Sequence, residues 1–217
     1  MLERLICLVI GYVCGLFQTG YIYGKMKQID IRKHGSGNAG TTNALRTLGW
    51  KAGVITFLGD CLKCVLAVIV VKLLFADSAS IKLLTLYAGL GAVLGHNYPF
   101  YLKFKGGKGI AATVGLVLTV NPWMFLSVAV VFITIMLTTQ YVSLGSIVIM
   151  ALFAIEVIWY GQMGGFNLSG MELYEFYIIV IVLAILAWVR HGANIKRLLN
   201  GTENKINVFK IGKKDRS

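Results

Sequence analysis

The chain has 217 residues, of which 57% are apolar and only 14% charged, against about 25% charged in a soluble domain. That balance excludes a soluble globular protein, and an apolar content this high with only two prolines excludes a disordered chain. The net charge of +12 would point to nucleic acid in a soluble protein. In an apolar one it reads as the Lys and Arg excess that membrane proteins keep on their cytoplasmic side, so no nucleic-acid partner is expected.

Leu5–Gly24 is the first expected span. It is too long for the core of a signal peptide and lacks a convincing cleavage site, so it reads as a retained helix. Gly53–Phe75 is the second, interrupted by Asp60 and Lys63, which stand one turn apart and read as a structural ion pair inside the membrane. Leu83–Leu102 is the third, with His96, Asn97 and Pro99 near its end. From Gly109 to Ile155 there are 47 residues without Asp, Glu, Lys or Arg, more than twice the about 20 that one span needs. Asn121-Pro122 and Thr138-Thr139-Gln140 break this stretch into spans near 110–121, 123–139 and 142–160. The last span runs roughly from Leu173 to Val189. Cys7, Cys14, Cys61 and Cys64 all lie in apolar segments and read as reduced thiols, because Cys61-x-x-Cys64 has no second ligand pair at zinc spacing.

Basic residues set the orientation. Segments 25–51, 102–109 and 190–217 hold 17 of the 21 Lys and Arg, whereas 161–175 holds Glu172 and Glu175 and no base. The positive-inside rule puts the three basic segments in the cytoplasm and 161–173 outside. An odd number of crossings must then lie between Lys108 and Gly161, and three fits the length. The expectation is an all-α polytopic bundle of about seven transmembrane helices, forming one domain over residues 1–217 with its amino terminus out and carboxyl terminus in. Five full spans plus a broken element is the alternative, because 110–121 makes only about 18 Å of helix against about 30 Å of hydrocarbon.

Three cytoplasmic blocks carry the chemistry. The first is Gly35-Ser-Gly-Asn-Ala-Gly-Thr-Thr-Asn43, followed by Arg46. It contains G-x-G-x-x-G literally, but no strand precedes it and no βαβ unit surrounds it, so it is not a dinucleotide fingerprint. What remains is backbone free to turn its N–H groups inward, the short polar side chains Ser36, Asn38, Thr41, Thr42 and Asn43, and a guanidinium at a helix opening. Those parts suit phosphate. A linker shares the composition; the interleaving of directional donors with fixed charge favours the anion site. The second block, Gly95-His-Asn-Tyr-Pro through Phe104-Lys-Gly-Gly-Lys-Gly109, lacks the Walker spacing. Its Gly106, Gly107 and Gly109 permit a tight amide-lined turn flanked by Lys105 and Lys108. Snorkelling would also explain the lysines, and a helix–helix hydrogen bond would explain His96. The third block is Arg190-His-Gly-Ala-Asn194 through Glu203, with His191, Asn194 and Arg197 on one helical face. A basic amphipathic tail accounts for Lys205 to Arg216 but not for the His-x-x-Asn pair.

In order, spacing and side of the membrane, these blocks resemble the three cytoplasmic motifs of the bacterial acyl-phosphate:glycerol-3-phosphate acyltransferases, over essentially the whole chain. The resemblance implies a multi-pass enzyme of the bacterial inner membrane with its site at the cytoplasmic face. It would transfer a fatty acyl group from acyl phosphate to the 1-hydroxyl of glycerol 3-phosphate, giving lysophosphatidic acid and phosphate in phospholipid synthesis. It implies that Ser36, Arg46, Lys105, His191 and Asn194 act on glycerol 3-phosphate. Asn38, Thr41, Thr42, Asn43, His96, Asn97 and the Gly106-Gly107-Lys108-Gly109 turn would bind substrate, chiefly the acyl phosphate, with Ser143 as a further donor. His96, His191 or a substrate phosphate oxygen would serve as base. No metal or other cofactor is implied, and no His-x4-Asp pair of acyl-CoA-type enzymes occurs at His34, His96 or His191. The alternative function is a transporter or channel for phosphate esters, which would more often show paired repeats and midplane charge.

Overall fold

The computed structural model describes residues 1–206, so the end of the expected basic tail, from 207 to 217, lies outside the described residues. Those described form ten α-helices and two short 3-10 turns, and no strand occurs among them. The helices are α1 (Leu2–Gly15), α2 (Thr19–Met26), α3 (Thr41–Leu48), α4 (Trp50–Leu74), α5 (Ile81–Asn97), α6 (Ile110–Val120), α7 (Pro122–Thr139), α8 (Val142–Gln162), α9 (Gly170–Arg190) and α10 (Gly192–Leu199). Each apolar stretch read as a span contains an α-helix, although α5 ends at Asn97 and not at the expected Leu102. Five segments are long and apolar enough to cross a bilayer: Leu2–Met26, Trp50–Leu74, Pro122–Thr139, Val142–Gln162 and Gly170–Arg190. Helix α5 has 17 residues and α6 has 11.

α5 is the central element, packed by α1, α4, α6 and α9. Its closest partner is α1, and small residues are the reason. Gly11 and Gly15 on α1 lie against the backbone at Ala88 and Ala92, while Gly91 and Gly95 on α5 lie against Leu8 and Tyr12. A Cβ at any of these glycines would enter the other helix's backbone. Within a bilayer, where lipid is as apolar as leucine, such close approach supplies the packing that hydrophobic exclusion cannot. Outward faces keep Val13, Leu62, Leu66 and Ile178 exposed, as lipid-facing positions require.

The breaks have local causes. Pro122 lacks an N–H and opens α7, whose N-cap Asn121 accepts from Trp123 N–H at 2.8 Å. The first span differs from expectation: Leu5–Gly24 is not one helix, since the chain leaves α1 after Gly15 and restarts at Thr19. Gln18 is responsible. Its buried amide donates to the carbonyls of Gly15, Gly95 and His96 at 3.2, 3.3 and 3.0 Å, and the freed Phe17 carbonyl accepts from Lys63 Nζ at 2.7 Å. The expected ion pair between Lys63 and Asp60 is present at 2.8 Å. All four cysteines are free thiols.

Candidate active site

One end of the bundle gathers the three polar blocks around a cavity of about 410 Å³. Its mouth is polar. Deeper in, it becomes a slot between α4, α6, α7 and α8, walled by Phe57, Val114, Phe125, Phe132 and Met136.

The first block is shaped from within by Asn43. Its amide NH2 donates to the carbonyls of Ile31, His34 and Asn38 at 2.7, 3.0 and 2.8 Å, and its Oδ1 accepts from Ser36 N–H at 2.8 Å. Gly35, with φ +58°, rests where a Cβ would strike that Oδ1, so the turn requires glycine. Asn43 lines the cavity as expected, and its carboxamide is also engaged in holding the loop. Around it Ser36, Asn38, Thr41, Thr42 and Arg46 line the cavity. The buried Thr41 hydroxyl has no partner among the described residues.

The second block folds back onto the end of α5. Gly106 N–H donates to the Asn97 carbonyl and Gly107 N–H to the His96 carbonyl, both at 3.1 Å. These two amides cap α5 and are therefore not free for substrate, contrary to the expected amide-lined turn. Asn97 is also displaced from its expected role: it is fully buried beneath Gly109 and does not line the cavity. Lys108, Gly109 and His96 do line it. Lys105 and Gly106 open instead onto an adjoining groove of about 480 Å³ that also touches Ser36, Asn38, Lys108, Arg32 and Arg190. The loop is gripped from outside by Arg190, which donates to the Gly106 carbonyl at 3.1 Å and to the Gly107 carbonyl at 2.8 and 3.2 Å. Arg190 was legible only as part of the third block; nothing in its spacing tied it to the glycines.

The third block closes the site. Asn194 donates to Glu203 Oε1 at 2.8 Å and its Oδ1 accepts from Lys108 Nζ. Glu203 also takes Arg197 Nε at 2.8 Å, and Arg46 donates to the Asn204 carbonyl at 3.1 Å. The segment after α10 is thereby strapped across the first block. His191 lines the cavity, and its Nδ1 lies 2.8 Å from the Ala187 carbonyl. A carbonyl can only accept, so Nδ1 carries the ring proton and Nε2 offers a lone pair.

Electrostatics follow from this geometry. Three helices begin at the cavity, represented there by Thr41 and Thr42 of α3, Ile110 and Ala111 of α6, and Val142 and Ser143 of α8. Each brings first-turn N–H groups without intrahelical partners and the positive end of a helix dipole. The buried Ser143 hydroxyl also has no partner among the described residues. Burial lowers the pKa of Lys108 to about 8, opposed by Glu203 and reinforced by Arg197, Arg190 and Arg46. Burial likewise lowers Arg46, with Glu203 opposing and Arg197 reinforcing. Burial, and then the Lys108 charge, hold His191 down to about 4, so its imidazole is neutral at pH 7. The arrangement is a mouth with more positive than negative charge, a neutral imidazole, and an apolar slot behind.

A family model described as Glycerol-3-phosphate acyltransferase matches residues 5–201. The glycerol-3-phosphate acyltransferase of Alkaliphilus metalliredigens is 42% identical over 204 residues, covering 94% of this chain and 96% of the relative. That of Clostridioides difficile is 44% identical over 207 residues, covering 93% and 95%. Among solved structures, the fold matches PlsY (YgiH), an integral membrane glycerol 3-phosphate acyltransferase, in its glycerol 3-phosphate form. The TM-score is 0.81 and the identity 33%, with 96% of this chain and 98% of the other covered. The lysophosphatidic acid form of the same protein matches with a TM-score of 0.79 at 32% identity, covering 96% and 97%.

Proposed function

The chain belongs to the glycerol-3-phosphate acyltransferase family and is an integral membrane enzyme of phospholipid synthesis; on that premise we propose that its acyl donor is acyl phosphate and its product lysophosphatidic acid. The observation that carries this reading is the meeting of three helix N-termini and two cationic side chains at the mouth of an apolar slot. A donor with a dianionic head and a fatty tail fits that junction: phosphate among Thr41, Thr42, Ser143, Lys108 and the α3 and α6 amides, tail between α6, α7 and α8.

Glycerol 3-phosphate then lies toward Ser36, Arg46, Lys105, His191 and Asn194, with the groove beside Lys105 as its approach. The 1-hydroxyl oxygen attacks the acyl carbonyl carbon. Its proton passes to His191 Nε2, and the bond between carbonyl carbon and phosphate oxygen breaks to release inorganic phosphate. Acyl phosphate is a mixed anhydride with a good leaving group, so no acyl-enzyme is required. Cations and helix dipoles oppose the repulsion between two phosphates. Asn43 acts by shaping the first loop and Asn97 by supporting the second. We also propose seven crossings, with the loop end of the bundle in the cytoplasm. A cysteine at Ser36 in a cysteine-free background should then label only from inside, and one at Asn167 from outside.

Purified protein should form labelled lysophosphatidic acid from acyl phosphate and labelled glycerol 3-phosphate, undiminished by EDTA, and not from acyl-CoA or acyl carrier protein. Robust turnover with acyl-CoA alone would overturn the donor assignment.

A further inference from the structure

Beneath the glycine loop lies a set of polar side chains that the reaction above leaves unused. Lys63 is 6% exposed, His96 3% and Asp60 1%. At such depth a polar group persists only where its partners are fixed. Lys63 Nζ has three neighbours: the Phe17 carbonyl at 2.7 Å, Asp60 Oδ1 at 2.8 Å and His96 Nδ1 at 2.7 Å. Thr19 Oγ1 donates to the same Asp60 oxygen at 3.1 Å. The carboxylate stands 3.6 Å from His96 Nδ1, beyond a good hydrogen bond.

An ammonium has three protons and no lone pair, and three neighbours take them. His96 Nδ1 must therefore accept, so the neutral ring carries its proton on Nε2. That edge of the ring lies against Gly107, where a Cβ would collide with Nε2 itself, and His96 lines the cavity. His191 is held the opposite way, with its proton on Nδ1 and its lone pair on Nε2. The two imidazoles that line the cavity thus carry opposite tautomers, His96 with a protonated Nε2 beside Gly107 and His191 with a bare Nε2.

We propose that the buried Asp60–Lys63 pair is a tautomer lock: Lys63 positions His96 as a fixed N–H donor to an oxygen of the acyl-phosphate group, which removes His96 from the role of base. The ligand in this statement rests on the function proposed above; the tautomer does not. A neutral donor aimed at an oxygen that gains charge as the anhydride is attacked stabilises the transition state without transferring its own proton.

The test uses the intact wild-type protein in lipid nanodiscs, labelled with 15N-histidine. There are three histidines, His34, His96 and His191, and single substitutions assign them. Long-range proton–nitrogen correlations distinguish a protonated ring nitrogen from a bare one. We expect His96 protonated at Nε2 and His191 at Nδ1. A wild-type His96 protonated at Nδ1 overturns the lock, whether or not the enzyme turns over. In Asp60→Asn/Lys63→Met, which removes both buried charges together, the His96 proton should lose its fixed place. A His96 spectrum unchanged in that variant removes Lys63 as the positioning residue. Kinetics with acyl phosphate decide the donor role. His96→Gln places an amide N–H near Nε2 and should keep most of kcat, whereas His96→Asn reaches only the Nδ1 position and should lose about ten- to a hundredfold. Equal losses in the two variants would show that the Nε2 proton has no special part. Failure of wild-type protein to use acyl phosphate removes the ligand assignment and leaves the spectrum to decide the tautomer.

Discussion

The two ends of the bundle draw on the same residue types and use them in opposite ways. At the far end, Arg4 grips Glu175 with two hydrogen bonds of 2.7 and 2.8 Å, and Tyr87 donates to that carboxylate at 2.5 Å. Ser80 donates to Glu172, and Lys82 to the Phe166 carbonyl at 2.7 Å. These groups tie α1, α5 and α9 to one another, and their hydrogen-bonding capacity is directed at the chain itself. At the loop end, the hydroxyls of Thr41 and Ser143 have no partner among the described residues, His191 turns a lone pair to the cavity, and the charges of Arg46 and Lys108 outnumber their counterion. Buried polar groups in folded proteins are normally satisfied. Where several lie unsatisfied around one cavity, a ligand completes them. Apart from Glu156 Oε2 on α8, the buried side-chain atoms without partners among the described residues lie toward the loop end, and that difference in saturation, more than charge or position, separates the two ends.

The largest break in that contrast should come from His191→Asn. An asparagine amide can still donate to the Ala187 carbonyl, so the fold keeps its contact while the Nε2 base is lost. A positioned base contributes about a hundred- to ten-thousandfold, and kcat should fall by that much with thermal unfolding nearly unchanged. A fall of less than tenfold would hand the proton to the substrate's own phosphate. Next comes Arg46→Lys. A guanidinium can hold a phosphate with two parallel bonds, and an ammonium is a point charge. Losing one charge-assisted contact should lower kcat/KM for glycerol 3-phosphate about ten- to a hundredfold, and Arg46→Ala should be worse. Unchanged steady-state kinetics in a well-folded Arg46→Lys protein would make the residue a membrane-surface anchor.

Much of this was legible in the sequence because hydrocarbon imposes a strong filter. The apolar runs, Asn121-Pro122 and the turn at Gln140 located the helices to within a few residues, since each marks where a helix must end or restart. The polar blocks were legible as well: Ser36, Thr41, Arg46, Lys108, His191 and Asn194 do meet at one cavity. What escaped were roles settled by tertiary contact. Asn43 and Ser36 are both short polar residues of one loop, yet only the fold shows that Asn43 faces inward to three carbonyls. The glycines at 106 and 107 suggested free amides, and the end of α5 claimed them first. Gln18 breaks the first span through carbonyls 77 and 78 residues away, a separation that no local pattern encodes. The Gly11–Gly15 and Gly91–Gly95 spacings stood in the sequence, but their pairing needed the two helices side by side.

A subtler way to sharpen the contrast uses pH. The free enzyme's Lys108 loses its proton as pH rises through about 8, and the ammonium is the form that attracts phosphate. kcat/KM should therefore fall on the alkaline side, by about tenfold one pH unit above that midpoint, since that quantity reports free-enzyme groups. A bound dianion favours the ammonium, so the limb in kcat should lie higher. Lys108→Arg should abolish the limb up to pH 10, because a guanidinium stays charged beyond pH of about 12. On the acid side, His191 remains neutral down to about 4. Any loss near pH of about 6 then belongs to the second ionisation of the phosphates. An alkaline limb that survives in Lys108→Arg would assign it to another group.

The smallest effect is expected at the saturated end, and it is the control on which the contrast depends. Arg4 and Glu175 are partly exposed, each side chain at 28%. Ion pairs of that kind stabilise by about 1 kcal/mol or less, with a two-pronged guanidinium–carboxylate geometry at the upper end of the range. Arg4→Met leaves Glu175 with the Tyr87 hydroxyl as partner, so the carboxylate is not abandoned and the midpoint of thermal unfolding should drop by only a few degrees. Glu175→Gln weakens the contacts of Arg4 and Tyr87 together and should cost somewhat more. In both variants kcat/KM for glycerol 3-phosphate should stay within about twofold of wild type, because these groups satisfy one another and none lines the cavity. A double-mutant cycle between the two positions measures their coupling directly. If either variant lowered kcat/KM as far as Arg46→Lys while remaining folded, the far end would be part of the reactive machinery, and saturation would no longer tell the two ends apart.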